Sequence, residues 1–158
     1  MVVQDKTVFR VALPPSGRVI GVDLGTKTLG LALSDVSRTV ASPLLTVDRT
    51  RLERDLDRLA ALCTEHQVAG LVLGLPVNMD GSEGRRCQAT RQFARDLERR
   101  LPLPVLLWDE RLSTAAVERA MIAADISRKR RGALIDKVAA AYILQGALDA
   151  LARPDRKD

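Results

Sequence analysis

The apolar residues of the chain form short runs that predict β-strands and longer periodic stretches that predict helices. Residues 18–35 contain two strand-like runs joined by a tight turn. Residues 38–47 predict a third strand, which Pro43 restricts to an edge position or a bulge. Residues 68–75 are almost wholly apolar, as expected of a central strand covered on both faces. Residues 105–108 form the fifth predicted strand.

Leucines at helical spacing predict a helix that begins in a capping-box pattern at Thr50 and Glu53 and continues to Cys63. We interpret its polar side, which includes Asp55, as a solvated surface. Three more helices are predicted over about residues 82–100, 113–124 and 133–151.

The resulting order, β-β-β-α-β-α-β-α-α, predicts an α/β fold with a five-stranded mixed sheet. Three strands form an antiparallel meander, and two parallel strands are each reached through a helix, which places helices on both faces. The predicted organisation is a loose N-terminal extension over residues 1–17, one domain over residues 18–151, and a charged C-terminal tail over residues 152–158.

Composition narrows the classes of function. The formal net charge of +5 is compatible with a polyanionic partner, whereas an aromatic content of 3% argues against a module that stacks on nucleobases. Cys63 and Cys87 form no metal-ligand pattern and are expected to be small buried thiols. Neither an apolar run of about 18 residues nor a signal-peptide core is recognisable, so we expect a cytoplasmic protein without a membrane partner.

Acidic or amide side chains follow three of the predicted strands. Asp23 ends the first strand, Asn78 and Asp80 follow the fourth, and Asp109 and Glu110 follow the fifth. Because parallel strands end at the same edge of a sheet, and ligands gather there, these side chains are expected at one rim. Taken alone, the turn after Asp23 is equally well explained as a hairpin whose carboxylate binds turn amides.

A fourth acidic residue, Asp136, lies on the last predicted helix. Helical spacing puts it on the same face as Ala139, Ala140 and Ile143, so this carboxylate is carried toward the sheet. The alternative is an aspartate near a helix N-terminus, stabilised by the helix dipole.

Three carboxylates at one rim suit a hard divalent cation. Asp23, Glu110 and Asp136 could bind one or two such ions, which can activate a water and stabilise the leaving oxygen of a phosphodiester. Mg²⁺ or Mn²⁺ fits this oxygen donor set better than Zn²⁺, because no cysteine or histidine ligands accompany it.

Basic residues near this rim could position phosphates. Lys27 lies in the first turn, Arg111 adjoins the acidic pair, and Arg85 and Arg86 open a helix. The basic run before the last helix consists of Arg128, Lys129, Arg130 and Arg131. We expect these groups to track a nucleic-acid backbone rather than base edges; the alternative for the run is an exposed, soluble loop.

Four segments carry a family resemblance: residues 21–30 (GVDLGTKTLG), 74–81 (GLPVNMDG), 109–114 (DERLST) and 136–140 (DKVAA). In this order they resemble the motifs of the YqgF family, also called RuvX, which are Holliday-junction-resolvase-like proteins assigned to pre-16S ribosomal RNA maturation. The resemblance covers about residues 18–150. It implies an RNase H-like fold and a metal-dependent nuclease.

The resemblance also implies that Asp23, Glu110 and Asp136 form the acidic triad. Related resolvases carry an acidic residue at the end of the fourth strand, where this chain has residues 74–76 (GLP). Glu110, arriving from the fifth strand, would replace that residue, and Asp109 remains a competitor because the alternation of side chains along this strand is ambiguous.

The leading hypothesis is a nuclease for structured RNA, acting at the 5′ end of pre-16S rRNA in ribosome biogenesis. One alternative is a resolvase of branched DNA, for which a two-fold junction would require a homodimer rather than a monomer. Another is a non-catalytic factor that binds RNA or ribosomal precursor particles. A sugar-kinase-like ATP site is disfavoured, because such folds need two domains of this size.

Overall fold

The computed structural model describes residues 1–112 and 128–153, with side chains for residues 1–112 and 136–153. The strands are β1 (Val2–Val3), β2 (Arg18–Leu24), β3 (Thr28–Ser34), β4 (Ala41–Asp48), β5 (Val68–Leu75) and β6 (Val105–Asp109). The helices are α1 (Lys6–Ala12), α2 (Leu52–Glu65), α3 (Arg85–Arg100) and α4 (Arg128–Ala152), and a 3₁₀ turn spans Glu110–Leu112. The helix expected over residues 113–124 lies outside the described residues.

All six strands form one sheet in the order β1-β6-β5-β2-β3-β4. β2, β3 and β4 form an antiparallel meander, and β5 and β6 continue parallel to β2. These pairings confirm the predicted mixed sheet, but the number of strands was wrong, because β1 adds a sixth at the edge beside β6.

The N-terminal segment is part of the fold, and its interpretation as a loose extension was wrong. Val2 pairs with Val105, and Phe9 on α1 is completely buried. Lys6 Nζ donates to the carbonyl of Ala150 at 3.3 Å, and Arg10 Nε donates to that of Leu151 at 2.9 Å. Helix α1 therefore supplies hydrogen-bond donors to carbonyl groups in the last turn of α4.

Strand β4 has the position expected of a strand that contains proline. It lies at the edge of the sheet, and its register shifts between the pairs Leu31–Leu45 and Ala32–Pro43. Both the edge position and the bulge were predicted, because proline has no N–H to donate to a neighbouring strand.

The start of α2 differs from its prediction. The helix begins at Leu52 without a side-chain cap at Arg51, and Asp55 Oδ1 instead accepts hydrogen bonds from the N–H and hydroxyl of Thr50 at 3.1 and 3.3 Å. Asp55 is only 3% exposed and lies 3.7 Å from Arg49 Nε. The predictions of a capping box and of a solvated Asp55 were therefore wrong, because the preceding loop covers this face of the helix.

Helices cover both faces of the sheet. α2 and α3 bury one core with Ile20 and Val22, and α4 buries the other with Val19 and Val72. The two predicted buried cysteines, on α2 and α3, are buried free thiols. No helix in the described part of the chain combines the length and hydrophobicity that a membrane span requires.

The approach of α4 to the sheet depends on Gly30 in β3. A Cβ atom at this position would overlap the backbone carbonyl of Asp136. Because Gly30 pairs with Asp23 across β2 and β3, this contact sets Asp136 over the end of β2. The backbone of residues 128–131 belongs to the first turn of α4 rather than to a preceding link, and the side chains of that run lie outside the described residues.

Candidate active site

Asp23 and Glu110 meet at the rim of the sheet, on the face covered by α4. Asp23 is the penultimate residue of β2, and Glu110 opens the 3₁₀ turn after β6. β5 lies between these two strands, so the two side chains converge across it. The expectation that residues distant in the sequence meet at this rim agrees with the described geometry.

The two carboxyl groups share a hydrogen bond, in which protonated Glu110 donates to Asp23. Burial raises the pKa of Glu110 to about 7, and the charge of Asp23 adds to this increase. Burial also raises the pKa of Asp23; the hydrogen bond with Glu110 opposes that effect, whereas the charge of Asp136 adds to it. Near neutral pH the pair is therefore still partly protonated, because two half-buried carboxylates so near each other resist full ionisation.

Gly74 in β5 makes the convergence possible. A Cβ atom there would lie 2.5 Å from Glu110 Oε1 and 2.7 Å from Ile143 Cδ1. The carboxyl group of Glu110 thus occupies the space above the end of β5. This is the fourth of the five strands predicted from the sequence, at whose end related resolvases are expected to carry an acidic side chain. Gly74 has no side chain, and the space this leaves is filled by the carboxyl group of Glu110, which comes from the turn after β6.

Asp136 completes the acidic group from the helix side. Its Oδ2 accepts a hydrogen bond from Thr28 Oγ1 at 2.8 Å, and its charge acts on Asp23. Thr28 is the first residue of β3, so the return strand orients the helical carboxylate. Within residues 1–112 and 136–153, no group of three or more His, Cys, Asp or Glu side chains has the spacing of a formed metal site.

Asp109 is held away from this group by Arg111. The carboxylate accepts hydrogen bonds from Arg111 Nε at 3.1 and 3.0 Å, from Nη2 at 2.6 Å and from the backbone N–H at 2.9 Å. These bonds lower the pKa of Asp109. Of the two candidate carboxylates after β6, Glu110 is therefore the one that meets Asp23.

In the loop after β5, the side chains of Asn78 and Asp80 form hydrogen bonds within the loop rather than with Asp23 or Glu110. Asp80 Oδ1 accepts hydrogen bonds from the N–H and hydroxyl of Ser82 at 2.9 and 2.5 Å, and Asn78 Nδ2 donates to the same hydroxyl at 3.0 Å. Arg111 Nη1 approaches the carbonyl of Asn78 at 3.4 Å. Arg111 therefore joins this loop to Asp109, which leaves it less available for phosphate than the sequence suggested.

The turn between β2 and β3 is fixed by Arg49. Its Nη1 donates to the carbonyl of Gly25 and its backbone N–H to the carbonyl of Lys27, each at 2.8 Å. The side chain of Lys27 is exposed at this turn, as a phosphate-positioning group requires. No sequence pattern indicated the role of Arg49, because its hydrogen bonds join the turn to a loop more than 20 residues away.

Glu110→Gln is expected to stabilise the metal-free protein at about pH 8 by about 2 to 3 kcal/mol. Native Glu110 keeps its proton up to about pH 7, whereas the unfolded chain releases it near 4.5. Because the native state binds more protons in this window, the stability of the wild type falls as pH rises through it. Glutamine removes that loss, and urea unfolding in EDTA from about pH 5 to 8 measures the difference.

Asp109→Asn is the matched control for this prediction, and its effect on stability at about pH 8 is expected to have the opposite sign. The lowered pKa of Asp109 means that its carboxylate stabilises the native state above the pKa of the unfolded chain. This variant should therefore be less stable than the wild type at about pH 8 and approach it in acid. If the stabilities of Glu110→Gln and the wild type changed with pH in parallel, this would contradict the raised pKa of Glu110 in the native state.

Comparison with known proteins agrees with this site. A family model described as "RuvX: Holliday junction resolvase" matches residues 17–150. A protein of Rhodobacter capsulatus named "Putative pre-16S rRNA nuclease" is 60% identical over 148 residues, covering 94% of this chain and 93% of its own. A protein of the same name from Paracoccus denitrificans is 57% identical over 151 residues, covering 96% of each chain.

Two solved structures share the fold at low sequence identity. RuvC of Thermus thermophilus in complex with a Holliday junction has a TM-score of 0.54 and 17% identity, covering 85% of this chain and 94% of its own. Fowlpox virus resolvase in complex with Holliday junction DNA has a TM-score of 0.52 and 10% identity, covering 86% and 99%. These similarities confirm the predicted RNase H-like fold.

Proposed function

The chain belongs to the RuvX family, and from this we propose that it is a nuclease that matures the 5′ end of pre-16S rRNA in the cytoplasm. It hydrolyses phosphodiester bonds in structured RNA, and its partners are that RNA and ribosomal precursor particles. The observation that carries the proposal is the half-buried pair of Asp23 and Glu110, whose carboxyl groups both have a raised pKa. Such a pair destabilises a metal-free protein at neutral pH, so stability alone gives no reason for it.

Asp23, Glu110 and Asp136 are the residues proposed to hold Mg²⁺ or Mn²⁺. Their donors are carboxylate oxygens, which hard divalent cations prefer, and a cation would offset the burial and the charge repulsion that raise the pKa of the half-buried pair. When bound, such an ion supplies activation of a water and stabilisation of the leaving oxygen, in a two-metal arrangement if two ions bind.

The protein's own groups prepare this site. Glu110 must release its proton before its oxygens can act as ligands, so metal affinity should rise with pH through about 7. Thr28 fixes the orientation of Asp136 through its hydrogen bond, and Gly74 leaves space for the carboxyl group of Glu110.

The test is a cleavage assay with purified protein on matched RNA and DNA substrates, with and without divalent metal. The proposal expects cleavage of an RNA that spans the 5′ end of 16S rRNA in Mg²⁺ or Mn²⁺, and none in EDTA. A protein that binds this RNA but never cleaves it would instead be a non-catalytic ribosome-binding factor.

The second candidate is a resolvase of branched DNA, which the description of the family model favours. The same assay includes a four-way DNA junction. Paired, symmetric cuts in the junction, together with a homodimer in solution, would support the resolvase, since a two-fold junction presents two equivalent strands. Junction cleavage without RNA cleavage would replace the leading proposal.

The basic run at residues 128–131, together with Lys27 and Arg111, is proposed to contact the nucleic-acid backbone. Replacing all four residues of the run with alanine is expected to weaken RNA binding and to flatten its dependence on salt. The log–log slope should fall by roughly 0.7 to 0.9 for each phosphate that the variant no longer neutralises. Fluorescence titrations at several salt concentrations measure that slope.

A control variant removes the same number of positive charges from the exposed residue before α2 and from exposed positions on α2 and α3, so that net charge is matched. It replaces Arg51, Arg54, Arg58 and Arg99 with alanine. Equal salt slopes for the two quadruple variants would show that the basic run acts only through net charge and makes no specific backbone contact.

A further inference from the structure

Arg86 is an exposed residue in the first turn of α3, beside the pair of Asp23 and Glu110. Its positive charge acts on both carboxyl groups and lowers the pKa of each, against the raising effect of burial. Among the residues that the structure describes, no acceptor receives a hydrogen bond from its guanidinium, which leaves its donors available.

The same side chain lines a small pocket with Gly25, Thr26 and Arg49. Gly25 and Thr26 follow Asp23 by two and three positions, so the pocket lies at the same end of β2 as the acidic pair, and Leu24 and Ala89 complete its lining. Its volume of about 40 Å³ accommodates the oxygens of a phosphate group but not a nucleobase. The pocket therefore suits a backbone phosphate rather than a base.

Arg49, the other guanidinium in the pocket, is already engaged. It donates to the carbonyl of Gly25 at 2.8 Å, and its Nε lies 3.7 Å from the buried carboxylate of Asp55. Its charge is therefore largely balanced within the protein. Arg86 supplies the guanidinium of the pocket whose donors are not hydrogen-bonded to other described residues.

We propose that Arg86 positions the substrate by binding, in this pocket, a phosphate of the backbone adjacent to the bond that is cleaved. The inference rests on the proposed nuclease function and names a substrate contact within that site. A guanidinium suits this task because its planar set of donors matches two phosphate oxygens. It also offsets the repulsion that the carboxylates exert on an approaching phosphate.

The first test compares Arg86→Ala, Arg86→Lys and the matched control Arg99→Ala, an exposed arginine near the C-terminal end of the same helix. Binding of the RNA is measured in EDTA, where no cleavage occurs. Arg86→Ala should weaken binding about 10- to 100-fold, Arg86→Lys less, and Arg99→Ala no more than about 3-fold. Equal losses for the two alanine variants would overturn the proposal.

The second test uses RNA with a single neutral methylphosphonate at successive positions along the bound strand. For the wild type and Arg99→Ala, one position should weaken binding about 10-fold, whereas Arg86→Ala should lose nothing further at that position. A merely structural role of Arg86 would leave the pattern of positions unchanged. The same penalty at every position in Arg86→Ala as in the wild type would therefore refute the proposed phosphate contact.

These measurements separate the two proposals. Failure of the wild type to cleave any RNA or DNA in Mg²⁺ or Mn²⁺ would reject the nuclease, whereas the binding scan in EDTA decides the role of Arg86 by itself. Urea unfolding of each variant shows that the comparison is made between folded proteins.

Discussion

Asp23→Asn is expected to lower metal-dependent cleavage by about 10³-fold or more, because the site loses several kcal/mol of charge stabilisation with this ligand. Asparagine has the same shape and can still accept the hydrogen bond from Glu110. The variant should fold at least as well as the wild type, since it removes a buried charge that lies near Asp136. Single-turnover cleavage rates in Mg²⁺ or Mn²⁺, with urea unfolding of the same preparations, measure both effects.

Asp109→Asn is the matched control for this substitution. It removes the same charge from the residue next to Glu110, but this carboxylate accepts its hydrogen bonds from Arg111. Cleavage by this variant should stay within about threefold of the wild type, since surface electrostatic changes of this kind are small. Undiminished cleavage by Asp23→Asn would reject the metal site. Equal losses in both variants would make Asp109 a candidate metal ligand again.

Gly30→Ala is expected to destabilise the protein by about 3 kcal/mol and to lower cleavage by about 10²-fold. The added Cβ overlaps the backbone carbonyl of Asp136, and a backbone cannot turn aside as a flexible side chain can. Helix α4 must therefore move away from β3, which carries Asp136 away from Asp23. Urea unfolding and cleavage rates measure the two consequences separately.

Gly84→Ala provides the comparison for this glycine. A Cβ at residue 84 would meet only Asn78 Nδ2, at 3.8 Å, an ordinary contact. Because Gly84 precedes the first turn of α3, its replacement should cost less than about 1 kcal/mol and leave cleavage near that of the wild type. If the two alanine variants were equally stable and active, the close approach of α4 would not be what positions Asp136.

The order of β2 to β6 along the chain, and whether each runs parallel or antiparallel to β2, were predictable from local patterns in the sequence. The alternation in residues 18–35, the apolar run of β5 and the position of Pro43 each reflect a constraint that acts within one strand or between neighbours. The resemblance in four segments then supplied the RNase H-like fold. These features needed no knowledge of long-range contacts.

The N-terminal segment could not be predicted in this way. β1 has only two residues, and α1 contains a single fully buried side chain, Phe9, so neither carries a periodic pattern. Both are stabilised by contacts with β6 and with the end of α4, which come from the other end of the chain. Such stabilisation appears only when the tertiary structure is known.

The environments of charged residues also depend on tertiary contacts that local sequence patterns do not show. The helical position of Asp55 predicts a surface residue, yet the loop containing Arg49 and Thr50 buries it. The choice between Asp109 and Glu110 depends on a 3₁₀ turn that the apolar pattern of β6 does not indicate. Periodicity describes which face a side chain is on, whereas these outcomes depend on which partner is within reach.

The sequence therefore suggested members of the candidate site but did not reveal its geometry. The sequence indicated Asp23, Glu110 and Asp136, and their roles as metal ligands stay a prediction. Features that the sequence did not reveal include the shared proton, the hydrogen bond from Thr28, and the space that Gly74 leaves. Each of these depends on atoms from separate strands and a helix.

Crystals soaked in Mn²⁺ test the convergence of the acidic residues most directly, by anomalous scattering. The account predicts at least one peak at a distance of about 2.0 to 2.6 Å from carboxylate oxygens of Asp23, Glu110 and Asp136, and its loss in Asp23→Asn. Mn²⁺ bound only elsewhere, or no peak at this rim under conditions that support cleavage, would contradict the account.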